Sequence, residues 1–383
     1  MVKSNKNSNF ARVNDVFPLK FGHMEGDLIR TNAWLAPISW IYGGVMFVRN
    51  YLFDCGILES ESYDIPIISV GNITVGGTGK TPHIEYLVRL LSPLFKVAVL
   101  SRGYKRKSSG YVLAHTDTPM KMVGDESWLI KQKFPEVYVA VDANRRRGIE
   151  RLMNDEETKD VQVILLDDAF QHRYVVPGHN ILLTDYHRLI TQDEIMPMGR
   201  LRESAGGKER ASIVIVSKCP RDISPMDFRI IASSLDLRPY QHLFFSTYKY
   251  GRMVNLHSLE MRNLKEMSNH HALLLTGIGC PKHLEMDMKQ YFAQVKSIEF
   301  QDHHDFSNEE IAMAYSQLEQ LPEPRLILTT EKDTTKLISM KGLSAKILSC
   351  IWVMPVGVQI MQEKEGLFND KIIKYVQKNL RNR

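Results

Sequence analysis

Ser69-Val70-Gly71-Asn72-Ile73-Thr74-Val75-Gly76-Gly77-Thr78-Gly79-Lys80-Thr81 decides how this chain folds. An apolar run over residues 65–70 breaks into a glycine-rich loop, and a helical pattern follows over residues 83–91. Gly76, Gly77 and Gly79, with Thr78 between them, let backbone N–H groups turn inward without Cβ clashes. The positive N-terminal end of the helix then faces the enclosed anion. Lys80 is expected to reach the β- and γ-phosphates of a nucleotide, and Thr81 to ligate Mg²⁺. Thr74 stands where the strict phosphate-loop pattern has its first glycine, so the order strand, loop, helix carries the reading. A glycine-rich turn with an accidental Lys-Thr is the rival explanation, and that order disfavours it.

A chain of 383 residues exceeds the usual size of one hydrophobic core, so two domains are expected. The 49 basic and 44 acidic residues leave a net charge of +5, too mild to argue for nucleic acid. Cys55, Cys219, Cys280 and Cys350 form no C-x-x-C pair, which speaks against a zinc site or a disulfide framework and suits a reducing, cytoplasmic compartment. The first 28 residues are polar and do not read as a secretory signal.

Residues 33–48 carry no charge, with Trp34, Ile38, Ile41, Val45 and Val48 at helical spacing. Pro37, Ser39, Gly43 and Gly44 weaken the stretch as a span. An in-plane interfacial helix is the better physical reading, ahead of a core helix or a spanning one.

Beyond the loop, apolar strand signals over residues 96–100, 136–141, 161–166, 180–184 and 211–217 alternate with helical stretches. The expected fold class is α/β: a P-loop NTPase-like, mostly parallel sheet with helices on both faces, plus a smaller second α/β domain. The scheme expected is a polar extension 1–28, an apolar interfacial helix 29–55 and a nucleotide-binding domain 56–240. A second domain with linker strands, 241–356, and a C-terminal helix 357–383 returning to the first complete it. Residues 351–356 are expected to pair with the strand near Phe244.

In such sheets ligands gather at the carboxyl ends of strands, where Gly76, Arg102 and Asp167 all fall. Asp167-Asp168 ends an apolar strand, as a phosphate-loop enzyme needs in order to hold Mg²⁺, and either carboxylate could be the ligand. Gln171 and His172 follow close by and are candidates for binding substrate, with a contact to phosphate or to a metal-bound group as open for His172 as a structural role. Gly124-Asp125-Glu126 and His303-His304 offer a proton acceptor for an alcohol substrate, although on spacing alone an N-cap near Ser127 and a polar loop are the better explanations.

Taken in order, these segments resemble the lipid A disaccharide 4′-kinase (tetraacyldisaccharide 4′-kinase) family. The matching runs are the apolar N-terminal segment, Val70-Gly71-Asn72 through Gly76-Gly77-Thr78-Gly79-Lys80-Thr81-Pro82, Ser101-Arg102-Gly103-Tyr104 and Gly124-Asp125-Glu126. They continue with Asp167-Asp168-Ala169-Phe170-Gln171-His172, Leu201-Arg202-Glu203, Asp302-His303-His304 and Thr330-Glu331-Lys332-Asp333. The resemblance covers about residues 30–370. It implies transfer of the ATP γ-phosphoryl group to the 4′-hydroxyl of a tetraacylated glucosamine disaccharide 1-phosphate, at the cytoplasmic face of the bacterial inner membrane.

The resemblance also pairs Asp125 with His303 to activate the acceptor, and sets Thr81, one of Asp167 or Asp168, and Glu203 around Mg²⁺. Arg102, Tyr104 and Arg202 are placed near substrate or phosphate, with Arg145 a weaker candidate. The implied partners are the acylated disaccharide lipid and a membrane surface; no nucleic acid and no protein partner is implied. Ala169 stands where the family usually has Gly, and Ser204 where it usually has Pro. Two rival readings are a phosphate-loop kinase or ligase of a soluble metabolite and a membrane-attached ATPase or nucleotide switch.

Overall fold

The computed structural model describes residues 33–277, 281–300, 304–340 and 342–381; the expected extension 1–28 and the expected catalytic His303 lie outside them. Eight strands run first: β1 Ile67–Gly71, β2 Val97–Ser101, β3 Val112–Ala114, β4 Tyr138–Val141, β5 Val163–Asp167, β6 His179–Asp185, β7 Ile213–Ser217 and β8 His242–Tyr250. Then come β9 Met253–Asn255, β10 Met261–Arg262, β11 His271–Thr276, β12 Gln294–Glu299, β13 Arg325–Thr330, β14 Ile351–Met354 and β15 Val356–Ile360.

The larger sheet has the order β15-β8-β7-β6-β1-β5-β2-β4-β3 and is parallel except at its edges, β3 and β15. The smaller has the order β10-β9-β14-β13-β11-β12, parallel from β14 to β12. The central strands are apolar on both faces because helices cover both. Ile84, Leu87, Val88 and Leu91 of the Lys80–Leu91 helix pack on Ile68, Val70 and Leu165 from one side. Ile149 and Leu152 of the Arg145–Asn154 helix pack on Leu100, Ile164 and Leu166 from the other. Each such buried side chain contributes roughly 1.5–3 kcal/mol of transfer free energy.

The expected link between the units differs in detail. Ile351–Met354 joins the smaller sheet beside β13, and it is β15, beginning at Val356, that pairs antiparallel with β8. Pro355 separates the two strands, so one segment serves both sheets in turn. The Glu365–Arg381 helix then packs Phe368, Ile372 and Val376 into the core under the Lys80–Leu91 helix.

The apolar N-terminal segment forms the helix Ala36–Asp54, about 28 Å long. Its inner stripe is tied down by polar contacts. Ser39 Oγ accepts from Met198 N–H at 2.8 Å, Tyr42 donates to the Arg202 carbonyl at 3.0 Å, and Arg49 donates to the Gln171 carbonyl at 2.9 Å. Trp34, Ile38, Trp40, Ile41, Val45, Phe47 and Val48 face outward, with Trp34 90% exposed. Among the described residues no helix is long and apolar enough to cross a membrane.

Candidate active site

The register Val70↔Asp167 between β1 and β5 delivers the glycine-rich loop and the paired aspartates side by side. Gly76 (φ 113°) and Gly79 (φ 83°) occupy backbone conformations that L side chains disfavour, and a Cβ built on Gly76 or Gly77 meets nothing within 4 Å. The loop's N–H groups thus border open space. Its base is braced: the Thr78 hydroxyl accepts from Asn72 Nδ2 at 2.8 Å, and the Thr78 carbonyl accepts from Ser217 Oγ at 2.9 Å.

The helix begins at Lys80, three residues earlier than its sequence pattern suggests, because Gly79 caps it in a left-handed conformation. His83 Nδ1 lies 2.7 Å from the Gly79 carbonyl, which can only accept, so Nδ1 carries the proton and Nε2 accepts from Ser246 at 3.0 Å. Burial holds this ring neutral, with a pKa lowered to about 4.

Asp167 is buried, and one of its carboxylate oxygens has no hydrogen-bond partner among the described residues. Burial, then the nearby Glu126 and Asp168 carboxylates, raise its pKa to about 7. Asp168 sits in a left-handed conformation, φ 47°, which aspartate tolerates. Burial alone would raise it too, but Lys80 at 3.6 Å and Arg202 at 3.3 Å outweigh burial and hold it below the usual carboxylate range. A carboxylate with an orphaned buried oxygen, lining the same cavity as Thr81 at the helix N-terminus, is a donor set that fits Mg²⁺.

Glu203 departs from expectation. Its carboxylate is buried, both oxygens accept from Arg210 Nη2 at 2.8 Å, and Asn50 and Gln171 donate to it at 3.0 and 3.1 Å. It does not line the cavity. A Cβ on Gly207 would lie 2.9 Å from it, so that glycine makes room for it. In this position Glu203 ties the N-terminal helix to Gln171, whose amide also donates to the Asn72 carbonyl at 2.7 Å.

A cavity of about 910 Å³ joins these groups and is lined by the loop residues 76–81, by Arg102, Tyr104, Asp125, Asp167, Asp168, Gln171, His172 and Arg202. Arg102 and Tyr104 are exposed at its edge. His172 is pushed down to about 4 by burial and by the guanidiniums of Arg145, Arg49, Arg146 and Arg102. It is therefore a neutral ring within a cationic wall. Arg145 donates to the backbone carbonyls of Asp142 at 2.9 Å and Asp167 at 3.2 Å, and burial draws its pKa down to about 10.

Asp125 opens the helix Asp125–Lys133, rather than capping one that starts near Ser127, and its Oδ1 accepts from Glu126 N–H at 3.0 Å. Gly124 before it has φ 86°, and a Cβ there would stand 2.7 Å from the Tyr104 carbonyl, so glycine is required on both counts. His304, the described neighbour of His303, lies 3.0 Å from Glu310, and its carbonyl accepts from Lys336 at 2.7 Å.

Several lining residues escaped sequence reading. Tyr42, Met46 and Arg49 reach the cavity from the apolar helix, and Lys218, Tyr248 and Leu284 line it too, as do Glu331 and Lys332 of the matching run 330–333, to which no role was assigned. Lys218, left-handed at φ 59° and 2.6 Å from Asp185, ends a parallel strand, the one signal that could have found it. The departures at Ala169 and Ser204 are accommodated: Ala169 is buried without left-handed strain, and Ser204 Oγ accepts from Gly206 N–H at 3.3 Å to cap the turn Ala205–Arg210.

Comparison with known proteins gives a consistent assignment. A family model described as tetraacyldisaccharide-1-P 4′-kinase matches residues 31–377. A tetraacyldisaccharide 4′-kinase from Phocaeicola vulgatus is 51% identical over 362 residues, covering 94% of this chain and 99% of that protein. One from Bacteroides thetaiotaomicron is 48% identical over 369 residues, covering 94% and 97%. A crystal structure of LpxK from Aquifex aeolicus in complex with ATP superposes with a TM-score of 0.66 at 27% identity, covering 90% of this chain and 98% of that one.

Proposed function

The chain belongs to the tetraacyldisaccharide-1-P 4′-kinase family, and from that premise we propose how its residues perform the transfer. The activity is ATP-dependent phosphorylation of the 4′-hydroxyl of a tetraacylated glucosamine disaccharide 1-phosphate, a step of lipid A biosynthesis. One observation carries the mechanistic reading: the glycine loop, the paired aspartates and Asp125 all line one cavity.

The N–H groups of residues 76–81 enclose the β- and γ-phosphates. Lys80, at 3.6 Å from Asp168 and so beyond hydrogen-bond distance, directs its ammonium to the phosphoryl group in transfer. Thr81 and Asp167 are the residues that would hold Mg²⁺, with Asp168 the alternative carboxylate; the ion supplies charge neutralisation at the β- and γ-oxygens. Asp125 accepts the proton of the 4′-hydroxyl, partnered by His303 as the family resemblance implies. Arg202, which also donates to Gln171 Oε1, orients Asp168, and the Arg102, Arg145 and His172 wall receives the anionic end of the substrate, with Tyr104 at the entrance.

Trp34 and the outward apolar stripe of the N-terminal helix rest on a lipid surface, which we place at the cytoplasmic face of the inner membrane. Tyr42, Met46 and Arg49 on the same helix line the cavity, so a sugar headgroup can enter while its acyl chains remain in lipid. The deciding experiment incubates γ-labelled ATP with the tetraacyl disaccharide 1-phosphate in detergent micelles. Label in the lipid at the 4′ position is expected; ATP hydrolysis without lipid labelling would favour the ATPase or switch reading.

A further inference from the structure

The stretch Thr330-Glu331-Lys332-Asp333 has no part in the chemistry above. Thr330 ends β13 and caps the helix Glu331–Ser339: its hydroxyl accepts from Asp333 N–H at 3.4 Å and donates to Asp333 Oδ2 at 2.8 Å. From this cross-bonded turn Glu331 and Lys332 both reach the larger unit. Glu331 Oε2 accepts from Lys133 Nζ at 2.8 Å, and Lys332 Nζ lies 3.3 Å from Glu126 Oε1. Lys133 also bonds Glu85 at 2.6 Å, on the helix that follows the phosphate loop.

Glu126 and Lys133 stand at opposite ends of the helix that Asp125 opens, about 10 Å apart along its axis. One turn of the smaller unit therefore grips that helix at both ends, a cation on its N-terminal carboxylate and a carboxylate on its C-terminal ammonium. Glu126 and Lys133 themselves match the helix dipole, so the gripped side chains sit where the helix favours their charges. Glu126 and Lys133 are two turns apart on one face of the helix, so the two contacts together resist rotation about its axis and also tilting about either contact alone. Rotation matters because Asp125 lies in the first turn. A carboxylate about 6 Å from the axis moves roughly 2 Å in a 20° rotation, and misplacement of 1 Å at a reacting centre can cost about a hundredfold in rate.

We propose that Glu331 and Lys332 are positioning residues, which lock the rotation of the Asp125–Lys133 helix and so aim Asp125 at the acceptor hydroxyl. This rests on the reading of Asp125 as the proton acceptor. The test compares Glu331→Gln, Lys332→Met, their double variant and Lys332→Arg in the full chain. Glu331→Gln keeps the Lys133–Glu85 pair, so no buried charge of the larger unit loses its partner.

The double variant should lose tenfold to a hundredfold in kcat, keep its KM for ATP within about threefold, and exchange the amides of residues 125–133 faster. Lys332→Arg should recover most of the Lys332→Met loss. Unchanged kcat, a loss Lys332→Arg does not recover, or unaltered exchange over 125–133 would overturn the proposal. A tenfold rise in the KM for ATP with kcat kept would also overturn it, making the pair nucleotide contacts. Should Asp125→Asn retain full activity, the acceptor reading alone falls, and the exchange measurement still decides the grip.

Discussion

Lys80 and Asp168 illustrate how few groups set the charge of the phosphate site. The 3.6 Å separation keeps the pair loose enough for the ammonium to serve phosphate oxygens, while Arg202 shares the task of holding Asp168 ionised. Lys80→Ala should lower turnover by orders of magnitude with the fold intact; a folded variant with near-normal steady-state rates would refute its role. Asp125→Ala should depress kcat much more than it weakens ATP binding, and His303→Ala likewise. If the two act as a unit, the double variant is little slower than either single one, whereas fully additive losses in a double-mutant cycle would separate them. What the sequence revealed at this scale depended on locality. Glycine spacing and strand-end carboxylates are local, so residues 76–81 and Asp167-Asp168 could be read directly. Glu203 could not, because its Arg210 and Asn50 partners are set by how the chain folds back, and no spacing rule encodes which carboxylate a guanidinium will claim. Lys332 with Glu126 escaped for the same reason, their pairing spanning two units.

Strand β6 shows how an element carries stability as well as position. It runs from His179 to Asp185, and at its start the His179 ring lies tilted at 53° against Tyr375, centroids 4.5 Å apart, and 3.0 Å from Ser212 Oγ. Burial, then the charges of Lys371 and His242, lower the His179 pKa to about 4. An unfolded histidine titrates near 6.5, so between these values the unfolded chain binds more protons than the folded one. The stabilisation is complete above pH of about 6.5 and is lost as pH falls towards 4. His179→Gln should accordingly flatten the decline of the melting temperature between pH 6.5 and 4, relative to the parent chain, without affecting phosphoryl transfer at pH 8. An unaltered slope would show that the ring titrates normally. Elements of this kind were legible from apolar runs alone, since buried parallel strands read as continuous hydrophobic stretches. The edge strands β3 and β15 were not. Short and only partly buried, they take their pairing from a neighbour rather than from their own pattern, which is why the link to β8 begins at Val356 and not at Ile351.

At the scale of the whole molecule, a water-soluble nucleotide and a lipid must meet in one cavity, and the N-terminal helix is the part arranged to permit it. Its polar inner stripe is bonded to the larger unit through Ser39, Tyr42, Arg49 and Asn50, and its outer stripe is more than half exposed at every apolar side chain named above. A core helix would show the reverse. Trp34, Ile38 and Ile41 are 90%, 54% and 71% exposed, so replacing all three with Ser removes little buried area and should leave thermal unfolding almost unchanged, surface substitutions being typically within about 0.5 kcal/mol each. Burying the same side chains at a lipid interface contributes roughly 1.5–3 kcal/mol apiece when complete. Even half of that, summed over three residues, amounts to about 2–4 kcal/mol, or some thirtyfold to a thousandfold in partitioning. The triple variant should therefore leave phospholipid vesicles in a sedimentation assay and show a raised apparent KM for the lipid acceptor, with ATP affinity kept. Because stability and membrane binding are measured on one protein, the two explanations cannot be confused. A collapsed melting temperature with unchanged sedimentation would mean that the stripe packs against protein, and would remove the helix from the lipid surface.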